Sequence, residues 1–259
     1  MNVPVSIITI TYNAERFLER TIRSIVAQEA CTLGVDYEYL IVDGASTDGT
    51  LDIIRRYEAH VSRWTTGPDR GLYDAMNKGQ ALAIGEFVWF MNAGDELHDP
   101  QTLSRLLAAI RINPETDVFY SDALFVNEDG SPVGLRSEAT PHALPKRLRW
   151  QDMAMGMKVS HQAFVARRRI APPYPINNLS ADLDWEIRCL KAARRVTYLP
   201  FVLCRYLVGG LSVQKHRQSL IDRFTVLIWH FGLFQTLINH GRIVWRALCT
   251  IRPVGPQGR

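Results

Sequence analysis

Three carboxylates stand where this chain could do chemistry. Asp43 closes a short apolar run, Tyr39 to Val42. Asp95 ends Asn92-Ala93-Gly94-Asp95, which follows a second run, Glu86 to Met91. Asp182 opens a helical pattern after Ser180-Ala181. An acid at a buried strand end can accept hydrogen bonds from a base N–H or a ribose hydroxyl, at about 1.5–3 kcal/mol per charged hydrogen bond. A lone acid such as Asp95 can share a divalent cation with a diphosphate, because such cations take one or two carboxylates plus phosphate oxygens. The cation then stabilises charge on a leaving diphosphate. A carboxylate placed like Asp182 can take the proton of an attacking hydroxyl, a contribution of about 10²–10⁴-fold. Each acid also has a plainer role. Asp43 and Asp48 suit helix caps, and Asp95 suits a cap or a loop ion pair. Asp182, Asp184 and Glu186 suit the first turn of a helix, and Asp184 with Arg188 makes an i,i+4 pair. Capping is preferred for Asp48 and ligand contact for Asp43. Spacing alone leaves Asp182 and Asp184 as alternatives, and His161-Gln162 could face a substrate or be structural.

These residues need elements to hold them. Val5 to Thr11 is short and β-branched and reads as a buried strand. Leu18, Ile22, Ile25 and Val26 recur at helical spacing. A strand ending at Asp43, a helix over Thr50 to Tyr57, an extended piece over Val61 to Thr65, a helix through Leu72, Ala75, Met76 and Gly79, and the strand Glu86 to Met91 follow. This alternation predicts an α/β fold with a mostly parallel sheet flanked by helices. Ligands of such sheets bind beyond the carboxyl ends of the strands. The polar groups Thr11-Tyr12-Asn13, Asp43 to Thr50 and Asn92 to Asp95 fall there. Further on, a helix over Pro100 to Ile110, a strand and hairpin around Val118 to Gly130, an irregular stretch from Pro141 to Met157, a strand over His161 to Ala166, a helix over Ala181 to Ala193 and a strand over Val196 to Leu199 are expected.

The bulk properties narrow the function. With 259 residues, 47% hydrophobic and 22% charged, the chain suits one large domain with a short appendage. A net charge of +4 is mild, and no nucleic-acid motif is present. Cys31, Cys189, Cys204 and Cys249 have no metal-site spacing and fit a reducing compartment. The first residues lack the pattern of a signal peptide, so a cytoplasmic location is expected. No G-x-G-x-x-G or P-loop follows the first strand.

The runs Ser6 to Asn13, Ile41 to Thr50, Pro68 to Gly79, Phe90 to Asp95, Ser160 to Phe164 and Ser180 to Asp184 together resemble family 2 of the glycosyltransferases, which have the GT-A fold. The resemblance covers about residues 3 to 213 and looks nearest to bacterial exopolysaccharide and colanic-acid-type enzymes. It implies an inverting, hexosyltransferase-type reaction from a nucleotide-diphosphate-sugar donor to a glycan acceptor, possibly linked to polyprenyl diphosphate. It implies a nucleotide-binding half of about 1–98 and an acceptor half of about 99–213. Thr11, Tyr12, Asn13, Asp43, Asp69, Lys78 and Asn92 would bind the donor, with Asp43 on the nucleoside and Asp69 closing its pocket. Asp95 would hold Mg or Mn as the surviving acid of the family's D-x-D region. Asp182 matches the aspartate of the family's E-D motif, the base, which selects it over Asp184; His161 and Gln162 would touch acceptor or donor sugar. Four positions depart from the pattern: Asn92 and Gly94 replace acids of D-x-D, Met76 replaces an arginine of many members, and Ala181 replaces the glutamate of E-D. The rival readings are a nucleotidyltransferase, whose Gly-rich, Arg-bearing loop Thr11 to Arg16 lacks, and a non-catalytic sugar-nucleotide-binding partner.

Residues 214–259 read as an amphipathic, basic helical tail. Ser212, Lys215, His216 and Arg217 read either as a loop over the diphosphate or as a solvated basic turn. Phe224 to Gly241 has no formal charge with neutral His, and Arg223, Arg242, Arg246 and Arg252 flank it. A helix pair lying on the cytoplasmic face of the inner membrane or packing on the domain is expected, with a dimer interface as its rival.

Overall fold

In the computed structural model, which describes residues 3–141, 143–209 and 215–250, the run Val5–Thr11 forms β1 and is buried throughout. Its β-branched side chains fit a strand covered on both faces. β1 is the axis of a seven-stranded sheet. Parallel to it on one side runs β2 (Tyr37–Asp43), then β3 (Arg63–Thr66); on the other runs β4 (Phe87–Phe90). Thr11 lies opposite Asp43 and Ile8 opposite Phe90, so the carboxyl ends of β1, β2 and β4 share one edge. Helices α1 (Leu18–Val26), α2 (Thr50–Arg56) and α3 (Leu72–Leu82) connect these strands. β9 (Phe164–Arg167) then pairs antiparallel with both β4 and β6 (Val118–Tyr120), and β10 (Val196–Tyr198) completes the order β10-β6-β9-β4-β1-β2-β3. Both halves expected of the chain therefore contribute to one sheet. The core holds Ile7, Ile8, Phe87, Trp89, Phe90, Phe119, Phe164 and Trp185, all fully buried.

Two features depart from the sequence expectation. The strand expected from His161 begins at Phe164, because His161–Ala163 coil into a 3₁₀ turn closed by Ala163 N–H to Ser160 O at 2.7 Å. The His161 ring instead packs among Phe90, Tyr174 and Trp185. A second, four-stranded sheet was not anticipated. Its order is β5 (Glu96–Leu97), β11 (Cys204–Leu207), β7 (Ala123–Val126) and β8 (Pro132–Leu135), with β7 and β8 forming the hairpin expected around Asn127 to Gly130. Strands of two to four residues carry too little periodicity to be read.

Three further helices, α4 (Thr102–Ile112), α5 (Arg136–Ala139) and α6 (Ala181–Ala192), alternate with the later strands. α7 (His216–Phe231) packs on α6, where His230 Nε2 meets Asp184 Oδ1 at 2.7 Å. Gly232 ends α7 and α8 (Leu233–Thr250) returns. α8 has inverted polarity. Its buried positions include Thr236 and Asn239, whose side chain donates to Ala154 O at 3.1 Å, while Phe234 is 79% and Trp245 70% exposed. Among the described residues, no helix is long and apolar enough to cross a membrane. Ser212 and Arg252 lie outside the described residues.

Candidate active site

A cleft of about 710 Å³ opens beyond the carboxyl ends of β1 and β4. Thr11, Tyr12 and Asn13 form one wall, Asp69 and Tyr73 another, Asn92 and Asp95 the floor, and Ser160 to Gln162 with Asp182 the far side. The turn after β1 is built around Asn13, which adopts a positive φ of 46°, a conformation that Asn tolerates well. Its N–H donates to Ser46 Oγ at 2.8 Å and its Oδ1 accepts the Thr47 N–H at 2.9 Å. Tyr12, 64% exposed, stands free at the mouth.

The Asn92-Ala93-Gly94-Asp95 turn closes through Asp95 N–H to Asn92 O at 3.0 Å. Gly94 has φ +106°, and a Cβ there would come within 2.8 Å of Leu207 Cδ2. Glycine at 94 therefore sets the bend that returns Asp95 to the floor. Asp95 is buried, with Oδ1 accepting the Leu207 N–H at 2.9 Å and Oδ2 accepting Gln162 Nε2 at 2.8 Å. Burial pushes its carboxyl up to about 7, against the pull of these two donors and of Arg20.

Asn92 Oδ1 and Thr11 Oγ1, from two residues that line the cleft, are buried without hydrogen-bond partners among the described residues. Among the described residues, no group of three His, Cys, Asp or Glu side chains could hold a metal. One carboxylate and one orphaned amide oxygen nonetheless fit a hard cation such as Mg or Mn, which takes its remaining ligands from phosphates and water.

Asp182 projects from the first turn of α6, half-buried, its Oδ1 accepting the Leu183 N–H at 2.8 Å. Burial pushes its carboxyl up, against that N–H, the Arg223 charge and the Tyr73 hydroxyl. Glu186, one turn on, is fully buried, and burial and the nearby Asp182 push its carboxyl well above the usual range. Asp184 points away from the cleft and is held by His230 and by Arg188 at 3.3 Å. The i,i+4 pair anticipated for Asp184 is thus present.

Two expected residues are not in the cleft wall. Asp43 is buried, and its oxygens accept the Ser46 N–H at 3.0 Å, the Thr66 hydroxyl at 2.6 Å and the Ser46 hydroxyl. It thereby braces the loop that holds Asn13. Lys78 Nζ donates to Pro68 O at 2.8 Å and lies 3.5 Å from Asp74. Asp48 precedes Gly49, the N-cap of α2, and accepts the Thr50 N–H at 3.0 Å and the Glu15 N–H at 3.1 Å. Gln162 serves Asp95, while His161 lines the cleft and bonds the Tyr174 hydroxyl at 2.8 Å. The cleft also takes in Tyr73, Arg136, Tyr206, Ser219 and Arg223. Tyr73 lies inside the Pro68 to Gly79 run, but Tyr206 sits in a four-residue strand with no alternation to mark it, and Arg223 stands in the sequence only as a flank of the apolar tail.

The chain matches known proteins at every level compared. The family model described as Glycosyl transferase family 2 covers residues 6–171. A PGL/p-HBAD biosynthesis glycosyltransferase of Mycobacterium bovis is 32% identical over 222 residues, which span 80% of this chain and 78% of that one. An uncharacterized glycosyltransferase of Mycobacterium tuberculosis is 34% identical over 221 residues, or 83% and 78% of the two chains. Among solved structures, Staphylococcus aureus TarS 1–349 with UDP-GlcNAc superposes with a TM-score of 0.70 at 19% identity, covering 86% of this chain and 64% of TarS 1–349. The Pyrobaculum calidifontis mannosyltransferase PcManGT with GDP-Man and Mn²⁺ gives 0.60 at 17% identity, over 96% and 76%. These structural likenesses bear on the fold, whose central sheet and flanking helices are those of GT-A transferases. The family match spans most of the parallel sheet and both acidic strand-end turns, and by it and its relatives the chain belongs to glycosyl transferase family 2 and is a glycosyltransferase enzyme.

Proposed function

We propose that the enzyme moves a sugar from a nucleoside-diphosphate-sugar to a hydroxyl of a glycan acceptor, with inversion at the anomeric carbon. One observation carries this reading: Asp95 and Asp182 open on the same cleft, from the floor and the far side. The nucleoside rests against Tyr12, Asn13 and Asp69, and Asp43 supports that wall from behind. Asn92 and Asp95 would hold Mg or Mn, which when bound supplies positive charge to the leaving diphosphate. Asp182 takes the acceptor's proton as its oxygen attacks the face opposite the departing nucleoside diphosphate. A carboxyl raised by burial is the stronger base for that step.

The acceptor is proposed to be lipid-linked, in bacterial surface polysaccharide synthesis, with the enzyme peripheral on the cytoplasmic face of the inner membrane. The outward apolar residues of α7 and α8, with Lys215, Arg217 and Arg242 exposed beside them, support surface binding.

Thermal shifts with UDP, GDP, CMP and dTDP, each with and without Mn²⁺, identify the donor class. No response to any of them overturns the donor reading. Asp182→Asn is expected to abolish transfer, by about 10²-fold or more, with nucleotide affinity retained. Turnover that survives this change refutes the base.

A further inference from the structure

The turn that delivers Asp182 is gripped from two sides. Asn178 Oδ1 accepts the Ser180 N–H at 2.7 Å, shaping the chain just before α6. From α3, the Tyr73 hydroxyl donates to Leu179 O at 3.1 Å. From α7, the Asp222 carboxylate accepts the Leu179 N–H at 2.7 Å. The Asp222 carbonyl also accepts Asn178 Nδ2 at 3.4 Å, and the Ser219 carbonyl accepts the Ser180 hydroxyl at 3.2 Å. Leu179 is thus fixed at both its N–H and its C=O, three residues before the base. Its N–H precedes the helix and has no helical carbonyl to meet. A carboxylate is the stronger acceptor, giving bonds about twice the strength of neutral ones. The second Asp222 oxygen is held by Gln218 Nε2 at 2.8 Å, which locks the side chain in place.

We propose that Asp222 is a positioning residue for the base. By holding the 178–181 turn it fixes where the Asp182 carboxylate meets the attacking hydroxyl, which makes α7 part of the catalytic apparatus. The proposal rests on the reading of Asp182 as that base. Placement of this kind matters, since a shift of about 1 Å can cost about 10²-fold in rate.

The test uses the full chain and the nucleotide-sugar whose nucleoside diphosphate gives the largest thermal shift. The readout is release of nucleoside diphosphate with water as acceptor, in which Asp182 takes the proton of water. Asp222→Ala is expected to lower kcat by about 10-fold, with donor KM and nucleotide Kd within about twofold. Asp222→Asn, which keeps one neutral acceptor oxygen, is expected to fall about threefold. Amide exchange at Leu179 should quicken in both variants. Asp182→Asn runs in parallel. Release surviving in Asp182→Asn removes the base and the proposal with it. If Asp182→Asn is inactive while Asp222→Ala turns over at the wild-type rate, the proposal alone fails. It also fails if kcat and Tm fall while donor KM rises more than twofold and Asp222→Asn rescues none of them. Should Asp222→Ala not fold, Asp222→Asn decides: wild-type kcat and unchanged Leu179 exchange overturn the proposal.

Discussion

His161 faces the cleft with an imidazole that burial lowers to about 3, against an ordinary value near 6.5. The folded protein holds this ring neutral, while the unfolded chain protonates it as pH falls below about 6.5. The stability that depends on the neutral ring is therefore present above that pH and lost as pH falls toward 3. The stability advantage of wild type over His161→Gln should shrink by about 1.4 kcal/mol per pH unit between pH 6 and 4. Urea unfolding at several pH values measures it; a constant gap contradicts the buried neutral ring. Asp95 makes a second prediction at this scale. Asp95→Asn should remove the Mn²⁺-dependent part of the nucleotide thermal shift and leave the metal-free part. Asp95 and Asp182 stand out in the sequence as candidates because each ends or opens a periodic segment, but only the resemblance to family 2 selects Asp182 over Asp184. The partnerships were not. Gln162 reaches Asp95 across 67 positions, and Asp43 turns inward to Ser46 and Thr66, contacts that only the folded chain creates.

At the scale of elements, α3 lies on β1 and β2 through Gly79. A Cβ at 79 would stand 2.5 Å from Ile8 Cγ2 and 3.4 Å from Val42 Cγ2, both on buried strand residues. Gly79→Ala gains up to about 1 kcal/mol of helix propensity but overpacks the interface, which costs about 1–3 kcal/mol. A net loss of about 1 kcal/mol, read as a Tm lower by about 2–4 °C, is the expected result. An unchanged or higher Tm would mean that α3 can move off the sheet freely. Long periodic elements such as β1, α1 and α6 were readable from residue pattern alone. The second sheet escaped because Cys204–Leu207 acquires its strand character from β5 and β7 and has no alternation of its own. The helix pair was legible as helices, but its role in the cleft depends on Asp184 and His230 meeting across 46 positions.

Across the whole molecule, the hairpin whose α8 turns apolar residues outward also lends Ser219 and Arg223 of α7 to the cleft, so the proposed seating on a bilayer would orient the cleft as well. Replacing Phe234 and Trp245 together by Glu should weaken binding to anionic vesicles by at least about 10-fold, since burying each large side chain contributes about 1.5–3 kcal/mol. Nucleoside-diphosphate release into water should persist in that variant. Vesicle co-sedimentation reads the first effect and should also weaken with salt; wild-type binding by the double variant overturns the membrane role of these side chains, and no vesicle binding by the full chain favours the dimer contact. The order of the central sheet has a consequence for synthesis on the ribosome. β4, Phe-Val-Trp-Phe, is flanked by β1 and β9, yet β9 ends 77 residues after β4, at Arg167 against Phe90. At about 5–20 residues per second, the apolar edge of β4 waits roughly 4–15 s for its neighbour. During that interval the nascent chain carries an unpaired strand of the kind that recruits other strands. A fragment stopped at residue 98 would keep that edge open for good, so it is expected to aggregate when made alone and to stay soluble only when residues through 167 are included.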